Sequence, residues 1–334
     1  MKRATIRDVA ARANVSVSTV SRVLNGQSEN HMRPETRDKV VQAIRDLSYA
    51  PVKAAQTLRR LRTNMLGIVL PDITNLYFAL LARGIESVAF EAGFTTIICD
   101  SYHQSSRENQ YLDMLRSEDV EGIIFVPVGV PDPNALDAVL DQGIRVVAVD
   151  RRIPGLPIAD VDNYRASFDL TRHILDLGYR RVAYVTGPEA VSTSVDRLAG
   201  CADALAAHGL VPLEVCPGDF TFQSGHDCAR HILEDTDADI ILTANDLMAF
   251  GALRAAEELD RQVPNSIGIA GFDHVPHVPY ATFLHAGLTT IEVPIHELGR
   301  AAASLLIDEK ESSVRLETRL IVGGTCKEQS KGVQ

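Results

Sequence analysis

Residues 5–25 read TIRDVAARANVSVSTVSRVLN, and this stretch decides the fold of the N-terminal region. Thr5 and Asp8 have the spacing of a capping box, in which the threonine oxygen accepts from the first helical turn. Apolar residues then recur at helical spacing as far as Ala13. Asn14 tolerates the left-handed backbone of a sharp turn, and Ser16 is a good N-cap for a second helix. The pattern predicts two short helices joined by a tight turn.

The second predicted helix has an outer face of small side chains and one arginine: Val17, Ser18, Ser21 and Arg22. Such a face suits the reading of base edges in the major groove of DNA, where arginine can form a bidentate pair with guanine. An ordinary helical hairpin has the same periodicity and is the alternative interpretation. The residues of the turn favour DNA binding.

Residues 5–10 and 15–25 resemble the head of the LacI/GalR family of bacterial repressors. The resemblance implies that Val17, Ser18 and Arg22 face the bases. It also implies that a second set contacts phosphates or supports helix packing: Thr5, Ser16, Thr19, Ser21 and Asn25. Arg33 and Pro34 open a third helix, since proline is favoured in the first helical turn. The predicted helix-turn-helix head, a DNA-binding domain, spans residues 1–48.

Residues 49–63 are predicted to form a hinge. Pro51 ends the third helix, and residues 54–60 can form a helix too short to be stable alone. By resemblance, Ala55 and Leu58 contact DNA when two copies pair, and the leucine wedges into the minor groove. Val52 stands where the family usually has asparagine, which puts the hinge cap in doubt. A plain flexible linker is the alternative.

Charge is distributed very unevenly along the chain. Through Arg62 there are 13 basic and five acidic residues, a net charge of +8, whereas the whole chain carries −11 and the remainder therefore −19. A basic head on an acidic body fits a head that meets phosphate. The sequence shows no continuous apolar run of membrane-spanning length and no signal-peptide pattern, so we expect a cytoplasmic protein without membrane contact.

The remaining residues, 64–334, alternate apolar strand patterns with amphipathic helix patterns. Strands are predicted at 66–70, 95–99, 122–126, 145–149, 182–186, 239–243 and 267–271. This alternation predicts an α/β body of two doubly wound parallel-sheet lobes. The body resembles the family's effector domain and the periplasmic sugar-binding proteins. The resemblance implies a first lobe of about 64–162 and 291–318, and a second of about 163–290 and 319–330, with the last strand, near Ile321, in the second.

Ligands of parallel α/β sheets bind at the carboxyl ends of the strands. By resemblance, an effector-binding set lies there: Tyr77, Phe78, Asp150, Arg151, Thr193, Arg197, Phe220, Asn245 and Asp273. Alternatives remain open for several of them. Arg197 and Asp273 can form a structural ion pair, and the two aromatic residues 77 and 78 can belong to the lobe core. Asp246 is interpreted as a helix N-cap, and Arg151 either binds an anionic ligand, such as a sugar acid or sugar phosphate, or is simply solvated.

Five scattered cysteines without a Cys-x-x-Cys pair favour reduced, buried thiols: Cys99, Cys201, Cys216, Cys228 and Cys326. We expect neither a metal nor a cofactor. The chain lacks the nucleotide-binding, nucleophile-elbow and zinc-protease motifs that would indicate an enzyme. A secreted sugar-binding protein, the other rival, does not account for the basic head.

The sequence therefore predicts a sequence-specific DNA-binding transcriptional regulator that resembles repressors. Its expected partners are a pseudo-palindromic double-stranded operator and a small effector (a sugar, sugar acid or sugar phosphate) bound between the lobes. We also expect a homodimer, because the C-terminal tail has no leucine heptads for a tetramer.

Overall fold

The computed structural model describes residues 4–24, 32–47, 63–275 and 287–329. The chain divides between Arg62 and Thr63 into two compact units, and each is described by itself. Three predicted DNA-contacting residues, Asn25, Ala55 and Leu58, lie outside the described ranges. The predicted hinge helix lies outside them too.

The N-terminal unit contains three described helices: α1 Ile6–Ala13, α2 Val17–Leu24 and α3 Pro34–Asp46. The capping box of Thr5 and Asp8 is present, and Asn14 has the left-handed φ of 52° that the turn requires. Both predictions are confirmed. The apolar faces of the helices meet in a small core: Val9, Ala10, Ala13, Val20, Val40 and Ala43. A core of this size holds α1 and α2 at a fixed angle, and so fixes the face that α2 presents to solvent.

The first lobe of the body is built on a six-stranded parallel sheet, in the order β11-β5-β4-β3-β1-β2. Its strands are β1 Met65–Leu70, β2 Thr95–Asp100, β3 Gly122–Phe125, β4 Arg145–Val149, β5 Ile158–Val161 and β11 Val314–Leu316. Its helices are α4 Leu76–Glu91, α5 Ser105–Ser117, α6 Pro133–Leu140 and α11 Ile295–Ile307. Helices α4 and α11 touch through Gly299, where a Cβ would lie 2.2 Å from the Leu81 oxygen.

The second lobe has a four-stranded parallel sheet, in the order β7-β6-β8-β9. Its strands are β6 Val182–Thr186, β7 Glu214–Pro217, β8 Ile240–Thr243 and β9 Gly268–Ala270. Its helices are α7 Asn163–Asp176, α8 Ser192–Ala206, α9 Phe222–Asp235 and α10 Asp246–Glu258. The predicted α/β class, a helix-turn-helix head with a two-lobed periplasmic-binding-protein-like body, is confirmed.

Late segments of the chain pass between the lobes. Helix α11 packs on α4 of the first lobe, and β11 pairs with β5. The strand expected near Ile321 does not enter the second lobe's sheet. Instead β12 Arg319–Ile321 pairs antiparallel with β10 Thr290–Glu292 in a separate ribbon. After the ribbon the chain returns beside β9, where the Ile269 amide donates to the Thr325 oxygen at 3.1 Å.

Two further features of the body differ from the sequence predictions. Strands β5 and β7 were not predicted, because both are four residues long and neither has a continuous apolar run. The expectation of five reduced cysteines is wrong, since Cys216 and Cys228 form a disulfide while the other three are free and buried. No helix within the described ranges is long and apolar enough to cross a membrane.

Candidate ligand cleft and nucleic-acid interface

Helix α2 presents the face that the sequence assigned to base reading. Val17 is 42% exposed, and Ser18 and Arg22 are also exposed, on the side away from the buried Val20. A large aliphatic side chain held open to solvent beside an arginine does not contribute to the core of the head. The face is therefore free to enter a groove of DNA.

The N-terminus of α2 carries a cluster of hydroxyl groups. Ser16 Oγ accepts from the Thr19 amide at 3.1 Å and lies within hydrogen-bond distance of the hydroxyls of Ser18 (2.7 Å) and Thr19 (2.8 Å). Amides and hydroxyls at a helix N-terminus favour an anion. Exposed basic side chains surround the three helices: Arg7, Arg12, Arg22, Arg33, Arg37, Lys39 and Arg45. The described part of the head is thus suited to a phosphate backbone.

All nine residues predicted for the effector site line one cleft in the body. Asp150 and Arg151 follow β4, Asn245 follows β8, and Asp273 follows β9, so the carboxyl ends of strands from both lobes supply the cleft. Five further lining residues were not predicted from the sequence: Asp72, Asn75, His103, Thr221 and Leu247. Asp72 and His103 follow β1 and β2, so the same strand-end rule would have found them.

On the first-lobe side, Tyr77 and Arg151 both engage Asp150. The Tyr77 hydroxyl donates to Asp150 Oδ1 at 2.8 Å, and Arg151 Nε lies 3.8 Å from Asp150 Oδ2. Arg151 also donates to the Pro127 oxygen at 2.6 Å, and its guanidinium lies between two rings, 5.6 Å from Phe78 and 5.8 Å from Phe220. Burial lowers the pKa of Arg151 and raises that of Tyr77. Tyr77 and Phe78 are buried, yet both face the cleft.

On the second-lobe side, Arg197 is held by four partners. It donates to Asn163 Oδ1 at 2.8 Å and to the Ala244 oxygen at 2.6 Å, and it stacks 3.8 Å from the Phe272 ring centroid. Its Nη1 lies 3.2 Å from Asp273 Oδ1, so the ion pair proposed from the sequence is present. Burial raises the pKa of Asp273, and Arg197 opposes that rise.

Asn245, and not Asp246, caps helix α10. Asn245 Oδ1 accepts from the Met248 amide at 2.9 Å, and its Nδ2 donates to the Phe220 oxygen at 3.0 Å. Asp246 is the first residue of the helix and accepts from the Thr290 hydroxyl at 2.6 Å. The N-cap interpretation of Asp246 is therefore wrong. Burial raises the pKa of Asp246 to about 7.

Four cleft residues have a positive φ although none is glycine: His103 (54°), Asp150 (65°), Phe220 (69°) and Asp273 (109°). Such backbone conformations cost free energy and tend to cluster at functional sites. Gly187 makes room for one of these side chains, because a Cβ there would lie 2.3 Å from the Phe220 ring. The local backbone is thus shaped to aim Phe220 and two carboxylates into the cleft.

Hydrogen-bonding capacity remains unused around the cleft. Within the described residues, Arg151 Nε, Ser194 Oγ and Asp273 Oδ1 are buried and have no hydrogen-bond partner. Asp273 Oδ1 nevertheless lies in ion-pair contact with Arg197. Buried polar atoms are usually satisfied, so unsatisfied ones in a cleft indicate a polar ligand. The space between the lobes is about 40 Å³, room for only about three water molecules.

The two lobes touch at the edge of the cleft. The Arg152 amide of the first lobe donates to Ser192 Oγ at 3.0 Å, and its guanidinium forms a two-pronged ion pair with Asp196, one prong at 2.9 Å. Ser192 and Asp196 both belong to α8 of the second lobe. These contacts hold the lobes closed, so a ligand larger than a few waters requires them to part.

A DNA-reading helical head and a two-lobed body with a polar, buried cleft define the class of ligand-responsive DNA-binding regulators. Two families match this chain, described as "Bacterial regulatory proteins, lacI family" over residues 5–52 and "Periplasmic binding proteins and sugar binding domain of LacI family" over residues 63–321. The chain therefore belongs to the LacI family, and it is a DNA-binding transcriptional regulator.

Similar proteins support this assignment along the whole chain. The ribose operon repressor of Halalkalibacterium halodurans is 32% identical over 331 residues, 97% of each chain. A LacI family regulator from Enterococcus faecium, solved with bound ribose, is 28% identical with a TM-score of 0.72, over 80% of this chain and all of that one. A LacI family regulator from Silicibacter pomeroyi is 27% identical with a TM-score of 0.81, over 97% of this chain and 99% of that one.

Proposed function

We propose that this protein represses transcription from a pseudo-palindromic operator, and that a neutral sugar bound between the lobes sets its operator affinity. The observation that carries the proposal is the cleft, where buried carboxylates and guanidiniums from both lobes include unsatisfied polar atoms and lie beside three aromatic rings. Carboxylates and guanidiniums hydrogen-bond to sugar hydroxyls, and an aromatic face packs against a sugar ring.

For the head, we propose that Val17, Ser18 and Arg22 read bases. A second set contacts phosphates or supports the interface: Thr5, Ser16, Thr19, Ser21 and Asn25. Ala55 and Leu58 of the hinge complete the DNA contacts. For the body, we propose that the nine predicted cleft residues bind the effector, with Arg197 and Asp273 serving both as an ion pair and as ligand contacts.

Charge balance in the cleft favours an uncharged sugar over the sugar acids and sugar phosphates that Arg151 suggested from the sequence. Three carboxyl groups line the cleft, at Asp72, Asp150 and Asp273, against two guanidiniums that both have acidic partners. An anionic ligand would have to displace those partners within a buried site, where unpaired charge is costly. Ribose is the first candidate, since one relative is a ribose operon repressor and one similar structure contains ribose.

The proposed mechanism is a shift between lobe arrangements. The closed lobes leave too little space for a sugar, so binding selects an arrangement in which they have parted and closed again on the ligand. Effector must bind the DNA-competent and DNA-incompetent states with different affinity for this to regulate DNA binding.

A single head reads few base pairs, so we propose that a homodimer, acting in the cytoplasm, places two heads on two half-sites.

A thermal-shift panel of ribose, other neutral sugars, ribose 5-phosphate and a sugar acid tests the effector proposal. A ligand at about 100 times its dissociation constant adds about 2.7 kcal/mol of stability. We expect a neutral sugar to raise the melting temperature.

The matched variants are Tyr77→Phe and Tyr164→Phe. Each removes one tyrosine–aspartate hydrogen bond, but only the first lies in the cleft, because Tyr164 pairs with Asp203 on the surface at 2.7 Å. The rise in melting temperature on adding the sugar should be smaller in Tyr77→Phe and unchanged in Tyr164→Phe. An equal loss of the melting-temperature rise in both variants would contradict the proposed site. A response only to the anionic sugars would contradict the proposed ligand class.

A further inference from the structure

The disulfide between Cys216 and Cys228 closes a loop that carries part of the cleft wall. Cys216 lies in β7, an edge strand of the second-lobe sheet, and Cys228 lies in α9. Their Cα atoms are 5.8 Å apart, and the two residues are 12 positions apart in sequence. Phe220 and Thr221, which both line the cleft, lie within this loop. The covalent bond therefore joins the two ends of the segment that supplies the Phe220 ring of the cleft.

The loop follows a defined path across the second lobe. The Gly218 amide donates to the Thr186 oxygen at 2.8 Å, and a Cβ on Gly218 would lie 2.6 Å from that oxygen. The Phe220 oxygen accepts from Asn245, and Phe220 has a φ of 69°. The ring position thus depends on the backbone path of the whole loop, and a bond across the loop's ends restricts that path.

The other three cysteines lie in a different environment. Cys99, Cys201 and Cys326 are buried, and burial raises the pKa of each thiol to about 11. Thiols are inert in that protonated, enclosed state, because the thiolate is the reactive form. Cys216 is only half-buried. All five cysteines lie in the described part of the chain, and this is the one pair positioned to react.

We propose that Cys216 and Cys228 form a reversible redox site that tunes the effector cleft through Phe220. Disulfides inside cells are usually transient or redox-sensing rather than structural. Oxidation fixes the loop and the ring, and reduction lets the loop sample other paths and weakens sugar binding. The statement about sugar binding rests on the function proposed above, whereas the redox reaction and its effect on the loop do not.

The oxidant that forms the disulfide is a peroxide. The Cys216 thiolate attacks a peroxide oxygen, the O–O bond breaks, and with one proton taken up water leaves, giving a sulfenic acid. The Cys228 thiol then attacks the Cys216 sulfur, the S–O bond breaks, and a second water leaves as the disulfide forms. In total two thiols and one hydrogen peroxide give one disulfide and two waters. A small dithiol reverses the reaction by exchange, becoming a disulfide itself.

The test uses the full chain, reduced and then treated with hydrogen peroxide. Alkylation after denaturation, followed by mass measurement, counts free thiols, and we expect five before and three after treatment. Cys201→Ala is the matched control and should still lose two thiols, whereas Cys216→Ser should not form the bond. Hydrogen exchange across residues 217–227 should be roughly tenfold faster in the reduced protein. The affinity for ribose, by calorimetry, should fall several-fold on reduction in the wild type and stay constant in the Cys216→Ser/Cys228→Ser variant.

Each outcome decides the proposal. Five free thiols after peroxide treatment, or a disulfide formed with unchanged exchange over 217–227, would overturn it. If ribose binds neither redox form, the proposed ligand has failed, but thiol count and exchange still decide the redox site. If ribose binds both forms equally while exchange differs, the loop responds to redox state but the coupling to the cleft is refuted.

Discussion

The head and the cleft reach specificity by opposite physical means. The head exposes its proposed base-reading residues on one short helix, Val17–Leu24, which a local cap at Ser16 and a small core hold in place. The cleft buries its proposed recognition residues, which come from helices and strand ends as far apart in sequence as Tyr77 in α4 and Asp273 after β9. An exposed face can tolerate change without loss of fold, whereas a buried array of charges is coupled to stability. The four predictions below test this contrast, from the largest expected effect to the smallest.

Removing a buried charge from the cleft should have the largest effect. Arg197→Ala leaves Asp273 without its cation in a site where both are buried. Breaking a buried ion pair costs about 3–5 kcal/mol, so the free energy of unfolding, measured in urea, should fall by that amount. The matched control is Arg165→Ala, which breaks an exposed pair with Asp169 at 2.8 Å. It should cost less than about 1 kcal/mol. Similar losses in both variants would mean that the cleft charges are not coupled to stability.

Glu108 should make the stability of the body depend on pH. It is 2% exposed, accepts from the Val128 amide, and burial raises its pKa from 4.5 to about 7. Between these two pKa values the folded state holds more protons than the unfolded state, so stability falls as pH rises from 4.5 to 7. Glu108→Gln should remove about 3 kcal/mol of that fall, as measured by urea unfolding at pH 5 and pH 8.

The control for this pH effect is Glu86→Gln, which changes an exposed glutamate of α4 and should leave the pH profile as in the wild type. The two variants should differ most above pH 7, where Glu108→Gln is the more stable protein. If the profile of Glu108→Gln matches that of the wild type, Glu108 is not titrating in this range.

Arg22→Ala should change DNA binding and leave the fold intact. Arg22 is exposed on α2, so its loss removes the proposed base contact without opening a cavity. Binding to a duplex selected from a random library should weaken by about 1–3 kcal/mol, with little change on random DNA. Arg12→Ala, whose side chain pairs with Asp46 at 3.1 Å, is the control and should discriminate little between the two DNAs. Equal weakening on both DNAs by Arg22→Ala would refute base reading.

Loss of the capping box should have the smallest effect. Thr5→Ala removes the oxygen that accepts from the Asp8 amide. N-cap loss typically costs about 1 kcal/mol, so hydrogen exchange across α1 should speed up several-fold. Thr5→Ser keeps the oxygen and should exchange like the wild type. Unchanged exchange in Thr5→Ala would mean that α1 depends on packing alone.

The same contrast explains how much could be predicted from the sequence. The fold of the head could be predicted because caps, turn residues and helical spacing are local features of the sequence. Thr5, Asn14 and Ser16 adopt the conformations that their residue types favour. Nine of the fourteen cleft residues were also predictable, because strand ends in a parallel sheet meet at one edge and the family resemblance named all nine.

What the sequence did not predict depends on long-range geometry. The choice of Asn245 over Asp246 as the α10 cap follows from a hydroxyl at Thr290, 44 positions away, that engages Asp246 instead. The Cys216–Cys228 bond follows from the way α9 packs beside β7, which scattered cysteines do not reveal. Strands β5 and β7 are short and only partly apolar, so their pairing with the neighbouring strands β4 and β6 defines them.

The central claim is that a ligand in the cleft changes the affinity of the head for DNA. The most direct test is an anisotropy titration of a selected duplex, with and without a saturating amount of the neutral sugar that the thermal-shift panel identifies. The account predicts that the dissociation constant for DNA changes by at least about fivefold, the lower end of typical coupling. An unchanged dissociation constant, with calorimetry showing the sugar bound, would contradict it.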